Sequence, residues 1–225
     1  MNCKFCEFLI FFIIGIRHKS LTEDSSEIEN VLKAINWKRD IVKPSASDMT
    51  KMRLNESLNS LADKWSKYCS YGYPPENNKA YLEYGINIFD ITKKLSDTFE
   101  ASDAVDFWSK EYFNYTYPSI CYGICVHYLQ VIWAASINLG CGKASCPSQD
   151  PANVHYMITC LFWPKPENIS TSPPYRTGKS CTKCPETFVF CESNLCSSNG
   201  IKYRYSLAVA LSVLFSVYDL LFRLI

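Results

Sequence analysis

Val126-His127-Tyr128-Leu129-Gln130-Val131-Ile132-Trp133 sets one histidine and one glutamine inside an otherwise apolar or aromatic run, and cysteines bracket it on both sides. Ile120-Cys-Tyr-Gly-Ile-Cys125 leads directly into it. Gly140-Cys141, Cys146 and Tyr156-Met-Ile-Thr-Cys160 follow it. Reading outward from this segment, the chain holds twelve cysteines. Cys3 and Cys6 lie in an apolar N-terminal stretch. The others are Cys69, Cys121, Cys125, Cys141, Cys146, Cys160, Cys181, Cys184, Cys191 and Cys196, an even set that implies disulfides in an oxidising compartment. Spacing alone leaves their pairing open. Cys181-Thr-Lys-Cys184 would also suit zinc, but no second CxxC or CxxH pair completes a tetrahedral site.

The N-terminus supports the oxidising compartment. Residues 1–20 carry Lys4 and then the run Phe8-Leu-Ile-Phe-Phe-Ile-Ile-Gly-Ile16, the length of a signal-peptide apolar region, although no A-x-A cleavage pattern follows. Three glycosylation triplets begin at Asn55, Asn114 and Asn168. Apolar residues make up 48% of the 225-residue chain, enough for a buried core. The net charge of +1 and the lack of a basic stripe argue against a nucleic-acid partner.

Ile28, Val31, Leu32 and Ile35 recur at helical spacing, and so do Leu58, Leu61, Ala62, Trp65 and Cys69. Lys43-Pro44-Ser45-Ala46-Ser47 separates these two helices, and Gly72-Tyr-Pro74-Pro75 forms a turn after the second. Ser102 can cap a third helix that turns Val105, Trp108 and Tyr112 inward. Residues 139–146 and 154–163 are expected as strands. The second is apolar on both faces and therefore central. Trp65, Trp108, Trp133 and Trp163 are expected in the core, while Lys33, Lys38 and Arg39 suggest a solvated face. His155 is expected to be structural or exposed.

These segments together resemble the CAP superfamily (cysteine-rich secretory proteins, antigen 5, pathogenesis-related 1). Val126–Trp133 is similar to its G-H-Y-T-Q-V-V-W signature, and Val42-Lys-Pro-Ser-Ala-Ser-Asp-Met49 to the stretch after its first helix. Pro174-Tyr-Arg-Thr-Gly-Lys-Ser-Cys181 and Cys191-Glu-Ser-Asn-Leu-Cys196 resemble the hinge of vertebrate members. Ile120–Cys125 and the apolar tail resemble the glioma pathogenesis-related protein 1 group. The resemblance implies an α+β fold, a three-layer α-β-α sandwich over residues 27–163. A Pro-rich linker and cysteine-rich hinge would follow over 164–196, and an apolar tail over 206–225.

The resemblance also implies a cleft with two histidines and two glutamates that holds a divalent metal in some members. Trp108-Ser-Lys-Glu111 keeps one glutamate and His127 keeps one histidine. The other two positions match Ile35 and Ile86 here, so two of the four donors are lost. The expectation is no metal, no cofactor and no enzyme, with Glu111 and His127 as a hydrogen-bonded pair inside the fold. The apolar tail contains Asp219 and Arg223, and Lys202 and Arg204 precede it. This favours a glycolipid-anchor signal over a spanning helix, with Ser197, Ser198 and Asn199 as attachment residues. The function expected from relatives is extracellular recognition of a protein partner, in male reproduction or immunity. A sterol or lipid carrier using the Ile35/Ile86 side of the cleft is the alternative, and a vestigial hydrolase is the weaker one.

Overall fold

The computed structural model describes residues 26–70 and 72–198. The expected signal segment 1–20, Cys3, Cys6, Asn199 and the 206–225 tail lie outside the described residues. Among the described residues, no helix is long and apolar enough to cross a membrane.

Residues 26–40 are helical (α1). Its inner stripe is Ile28, Val31, Ile35 and Arg39, all buried. The helical spacing that selects the first three residues also selects Arg39. The solvated face expected for Arg39 is thus wrong: its guanidinium is 1% exposed and bonds five backbone carbonyls, those of Thr50, Val131, Trp133, Ala134 and Ser136. Burial of this charge is tolerated because the forked N–H donors match the carbonyls of two irregular segments. Lys38 is also largely covered, its side chain 17% exposed, and forms an ion pair with Asp106 at 2.7 Å, so of the three expected solvated cations Lys33 alone is exposed.

Strand β1 (Arg53–Leu54) leads into α2 (Glu56–Lys67), which Asn55 caps by accepting from the N–H groups of Ser57 and Leu58. Strand β2 is Gly85–Lys94, followed by α3 (Asp103–Ser109) and a 3₁₀ turn, Lys110–Asn114. The short pair β3 (Tyr115–Thr116) and β4 (Ile120–Cys121) precedes α4 (Val126–Val131). Long strands β5 (Asn138–Cys146) and β6 (Asn153–Trp163) come next, then the hairpin β7 (Phe190–Glu192) and β8 (Leu195–Ser197).

The main sheet has the order β1-β5-β6-β2, so β6 is internal as its two apolar faces require. Ile158, Cys160 and Phe162 enter the principal core with α1, α3 and α4, while Leu161 packs with Ala62 and Trp65 of α2 on the other face. This is the three-layer α-β-α sandwich. Helix α2 lies against β5 because that strand has glycines beneath it. A Cβ at Gly142 would stand 2.2 Å from Asp63 Cα, and one at Gly140 would stand 2.2 Å from Leu58 Cβ.

The structure adds β2, which pairs antiparallel with β6 from Gly85↔Phe162 to Lys94↔Asn153. Its outer half ends in Thr92, Lys93 and Lys94, as suits an edge strand, and that polarity blurs the alternation. Tyr112 does not turn inward. Helix α3 tightens to 3₁₀ at Lys110, which rotates Tyr112 off the buried stripe of Val105 and Trp108, and it is left exposed. Ser102 stands at the cap position without a side-chain cap bond. Trp163 is exposed rather than core, because β6 ends there; Trp65, Trp108 and Trp133 are buried.

The Pro-rich segment after the sheet does not hang free. Tyr175, Leu195 and Cys196 enter the principal core. Backbone bonds run from Ser47 N–H to Arg176 O, from Lys51 N–H to Cys196 O and from Cys196 N–H to Met49 O. The stretch that interrupts the chain after α1 is therefore the docking edge for the hinge.

All ten cysteines outside the N-terminal stretch are paired: Cys69–Cys146, Cys121–Cys125, Cys141–Cys160, Cys181–Cys191 and Cys184–Cys196.

Candidate functional site

Helix α4 begins just after the Cys121–Cys125 loop and presents His127 from its first turn. The 3₁₀ turn after α3 brings Glu111 against it. Glu111 Oε1 lies 2.5 Å from His127 Nδ1, and Oε2 accepts the backbone N–H groups of His127 and Tyr128 at 2.9 and 3.0 Å. Both carboxylate oxygens are thus committed to α4. The side chains are mostly covered, at 12% exposure for Glu111 and 20% for His127.

The second imidazole nitrogen is also engaged. Tyr73 Oη lies 2.8 Å from His127 Nε2. With Nδ1–H donating to the carboxylate, a neutral ring accepts the phenol O–H at Nε2. Burial, and then the nearby Glu111 charge, push the Tyr73 pKa above the usual phenol value, so the phenol keeps its proton at neutral pH. Tyr73 is held in place from α2, since Trp65 Nε1 donates to Gly72 O at 3.1 Å. From the sheet, Asn87 Nδ2 donates to His127 O at 3.0 Å.

Of the residues expected in the cleft, the fold brings together Glu111 and His127. Ile86 packs beside α2 against the cluster of Ala62, Trp65, Tyr81 and Leu161, on the side from which Tyr73 arrives. Ile35 is corrected: it is wholly buried in the principal core on α1 and presents nothing to a cleft. The place at the imidazole that the resemblance assigned to Ile35 is filled by Tyr73. A tyrosine in a Pro-flanked turn carries no periodic signal, so only the contact reveals it.

A divalent metal does not fit this arrangement. Zinc needs three or four N, S or O donors with free lone pairs. Here both nitrogens of His127 are hydrogen-bonded, Ile86 offers no donor, and Glu111, which keeps one free lone pair on Oε1, supplies at most a single ligand. A second sulfur-rich cluster, Cys181, Cys184 and Cys196, has its ligand atoms within 4.8 Å of one another. All three are in disulfides, which lack the thiolate that binds zinc.

The remaining expected positions lie apart from this pair, on the surface, in the hinge or, for His155, inside β6. Asn55 caps α2, Asn114 Nδ2 donates to Ile124 O, and Asn168 adopts a positive φ of 53°. Ser197 is buried in β8 and Ser198 is half-buried beyond it. His155 is buried, with Nδ1 2.9 Å from Thr92 Oγ1. No groove opens at Ile35. A cleft of about 580 Å³ lies instead between the end of α1 and the α3–3₁₀ segment, lined by Ile41, Val42 and Tyr112, with Tyr128 of α4 at its floor.

The sandwich, its stapled hinge and the Glu111–His127 pair define a class. The profile of the CAP, cysteine-rich secretory protein family matches residues 32–162, and the chain belongs to that family. Among its relatives, cysteine-rich secretory protein 2 of Cavia porcellus is 31% identical over 82% of this chain and 74% of its own length. Human GLIPR1-like protein 1 is 32% identical over 77% of this chain and 72% of its own. Among solved structures, the hookworm platelet inhibitor shares the fold at a TM-score of 0.59, with 19% identity over 79% of this chain and 92% of that one.

Proposed function

We propose that this protein is an extracellular recognition protein, held at a membrane by its tail, and that it is not an enzyme. The observation that carries this reading is the saturation of His127: Glu111 holds one nitrogen and Tyr73 the other. At this pair that leaves neither a metal-activated water nor a free general base. The signal segment 1–20, the disulfides and membership among cysteine-rich secretory proteins support passage through the secretory pathway. A glycolipid anchor attached at Ser198 or Asn199 would lie beyond β8, whereas attachment at Ser197 would fall on the last, buried residue of that strand. Relatives named as cysteine-rich secretory protein 2 support a secreted role, and the recognition is proposed to serve male reproduction or immunity. The test is zinc titration of the intact purified chain. No stoichiometric binding is expected, and micromolar or tighter binding that disappears in His127→Ala would sink the reading. Release of the surface protein by phosphatidylinositol-specific phospholipase tests the anchor, and retention would instead favour a spanning tail.

A second reading, carriage of a sterol or lipid, rests on the cleft near Tyr128. Ile41, Val42 and Tyr112 offer an apolar wall, with Lys43 and Lys110 at hand for an anionic head group. Saturable binding of a labelled sterol or fatty acid, abolished by Ile41→Glu, is the expected result. Absence of saturation would reject it.

A further inference from the structure

No Asp, Glu, Lys or Arg occurs between Glu111 and Lys143. Much of that stretch is interior, but one part faces outward as an apolar surface. Phe113 is 84% exposed, Tyr122 75% and Ile124 64%. They are brought together by the β3–β4 pairing, by the Tyr122 N–H bond to Asn114 O at 2.8 Å, and by the Cys121–Cys125 bridge. Such a clustered, uncharged patch on a secreted domain calls for a cover.

The centre of this patch is Asn114. Its amide nitrogen donates to Ile124 O at 3.2 Å. Gly123 leaves the space over it clear: a Cβ there would stand 3.6 Å from Asn114 Nδ2. Phe113 precedes Asn114 in the chain, and Tyr122 and Ile124 flank it across the turn. Asn114-Tyr115-Thr116 is a glycosylation triplet. The neighbouring Tyr112 ring meets Phe113 edge-on at 5.8 Å and Tyr128 likewise at 5.8 Å, which ties the exposed ring to a buried one.

We propose that Asn114 carries an N-linked glycan whose first sugar lies against the Phe113 and Tyr122 rings, so that a covalent sugar, and not a partner protein, covers this surface. The apolar face of an N-acetylglucosamine suits an aromatic ring, and its hydroxyls restore polarity outward. In the transfer, Asn114 Nδ2 forms a bond to the anomeric carbon of an oligosaccharide supplied as its lipid-linked pyrophosphate. The anomeric C–O bond breaks, the lipid pyrophosphate leaves, and one amide proton is released. The glycosylated amide keeps one N–H for the Ile124 carbonyl. This proposal rests on the extracellular reading above, because the donor is met only in the secretory pathway.

The test uses the full chain made in glycosylating eukaryotic cells. Ser57→Ala and Ser170→Ala remove the other two triplets while leaving both asparagines in place. Peptide mass spectrometry is expected to find Asn114 occupied, and trimming to one sugar to leave the melting temperature unchanged. Thr116→Ala is expected to lower it by about 2–4 °C, a shift of one modest contact in a chain of this size, and to increase binding of an apolar dye. Thr116→Ser, which keeps the triplet, is the folding control. Phe113→Ala is expected to lose the same stabilisation in the glycosylated chain and to add little to Thr116→Ala. Additive effects of the two would overturn the stacking. In the parent chain, which keeps all three triplets, an unmodified Asn114 beside a glycosylated Asn55 or Asn168 would overturn the proposal and leave the extracellular reading standing. Vesicle co-sedimentation of that chain would then show a lipid surface as the cover. No sugar at any of the three asparagines would count against both.

Discussion

Tyr73 Oη lies 2.8 Å from His127 Nε2, fifty-four residues away in sequence, and closes the imidazole that Glu111 already holds from the other side. The contact turns a potential ligand set into a closed Tyr–His–Glu chain. Its members come from the turn after α2, the first turn of α4 and the 3₁₀ turn after α3.

Opening that chain is expected to create metal affinity. Tyr73→His combined with Ile86→Glu supplies two donors on the side from which Tyr73 arrives, beside Glu111 and His127. Equilibrium dialysis with zinc is expected to show stoichiometric uptake by the double variant and none by the parent. Ile35→His is expected to bind no zinc and to destabilise the fold by about 2 kcal/mol or more, since it buries an imidazole in an apolar core. Uptake by Ile35→His would refute the assignment of Tyr73.

Arg39 is expected to be among the costliest residues to change. Burial pulls its pKa down to about 9, which leaves the guanidinium charged at neutral pH. Arg39→Met would leave the carbonyls of Val131, Trp133 and Ser136 without this donor. A loss of at least about 3 kcal/mol in denaturant unfolding is the expected outcome. Arg39→Lys is expected to recover less than half of it, because an ammonium cannot span the same fork of acceptors.

Alkaline unfolding should report the buried tyrosines on and around α4. Burial, with a smaller effect from Tyr117, pushes Tyr115 up to about 12, and burial also raises Tyr128 and Tyr175. A raised folded-state pKa means that the stabilisation is complete below about pH 10, the unfolded phenol value, and is lost as pH rises from there through about 12. Absorbance at 295 nm is expected to show these phenols ionising only as circular dichroism is lost. Their ionisation near pH 10 with the fold intact would contradict this.

The disulfides are expected to differ in worth by loop length. Cys69–Cys146 closes 77 residues and Cys121–Cys125 only 4. Chain entropy assigns about 4.5 kcal/mol to the first and about 2 kcal/mol to the second. Paired serine substitutions, compared by denaturant midpoint, are expected to rank in that order. The reverse order would show that the short loop anchors α4 more strongly than loop closure accounts for.

The sequence alone determined what depends on local spacing and residue chemistry. The apolar stripes of α1 and α2 and the two-faced apolar run of β6 state their own burial. An even cysteine set states that disulfides form, though not which cysteines pair. The segment around His127 states the family, and the loss of carboxylate at Ile86 follows from it. Tertiary structure decided whatever depends on partners distant in sequence. Arg39 looked like one more surface cation beside Lys38, because a basic side chain is buried only when distant carbonyls converge on it. Strand β2 is held by β6, not by its own alternation. Tyr112 and Trp163 follow their elements in type, but element ends set their exposure. Tyr73 meets His127 from a turn that Trp65 anchors, and no pattern within the turn encodes that reach.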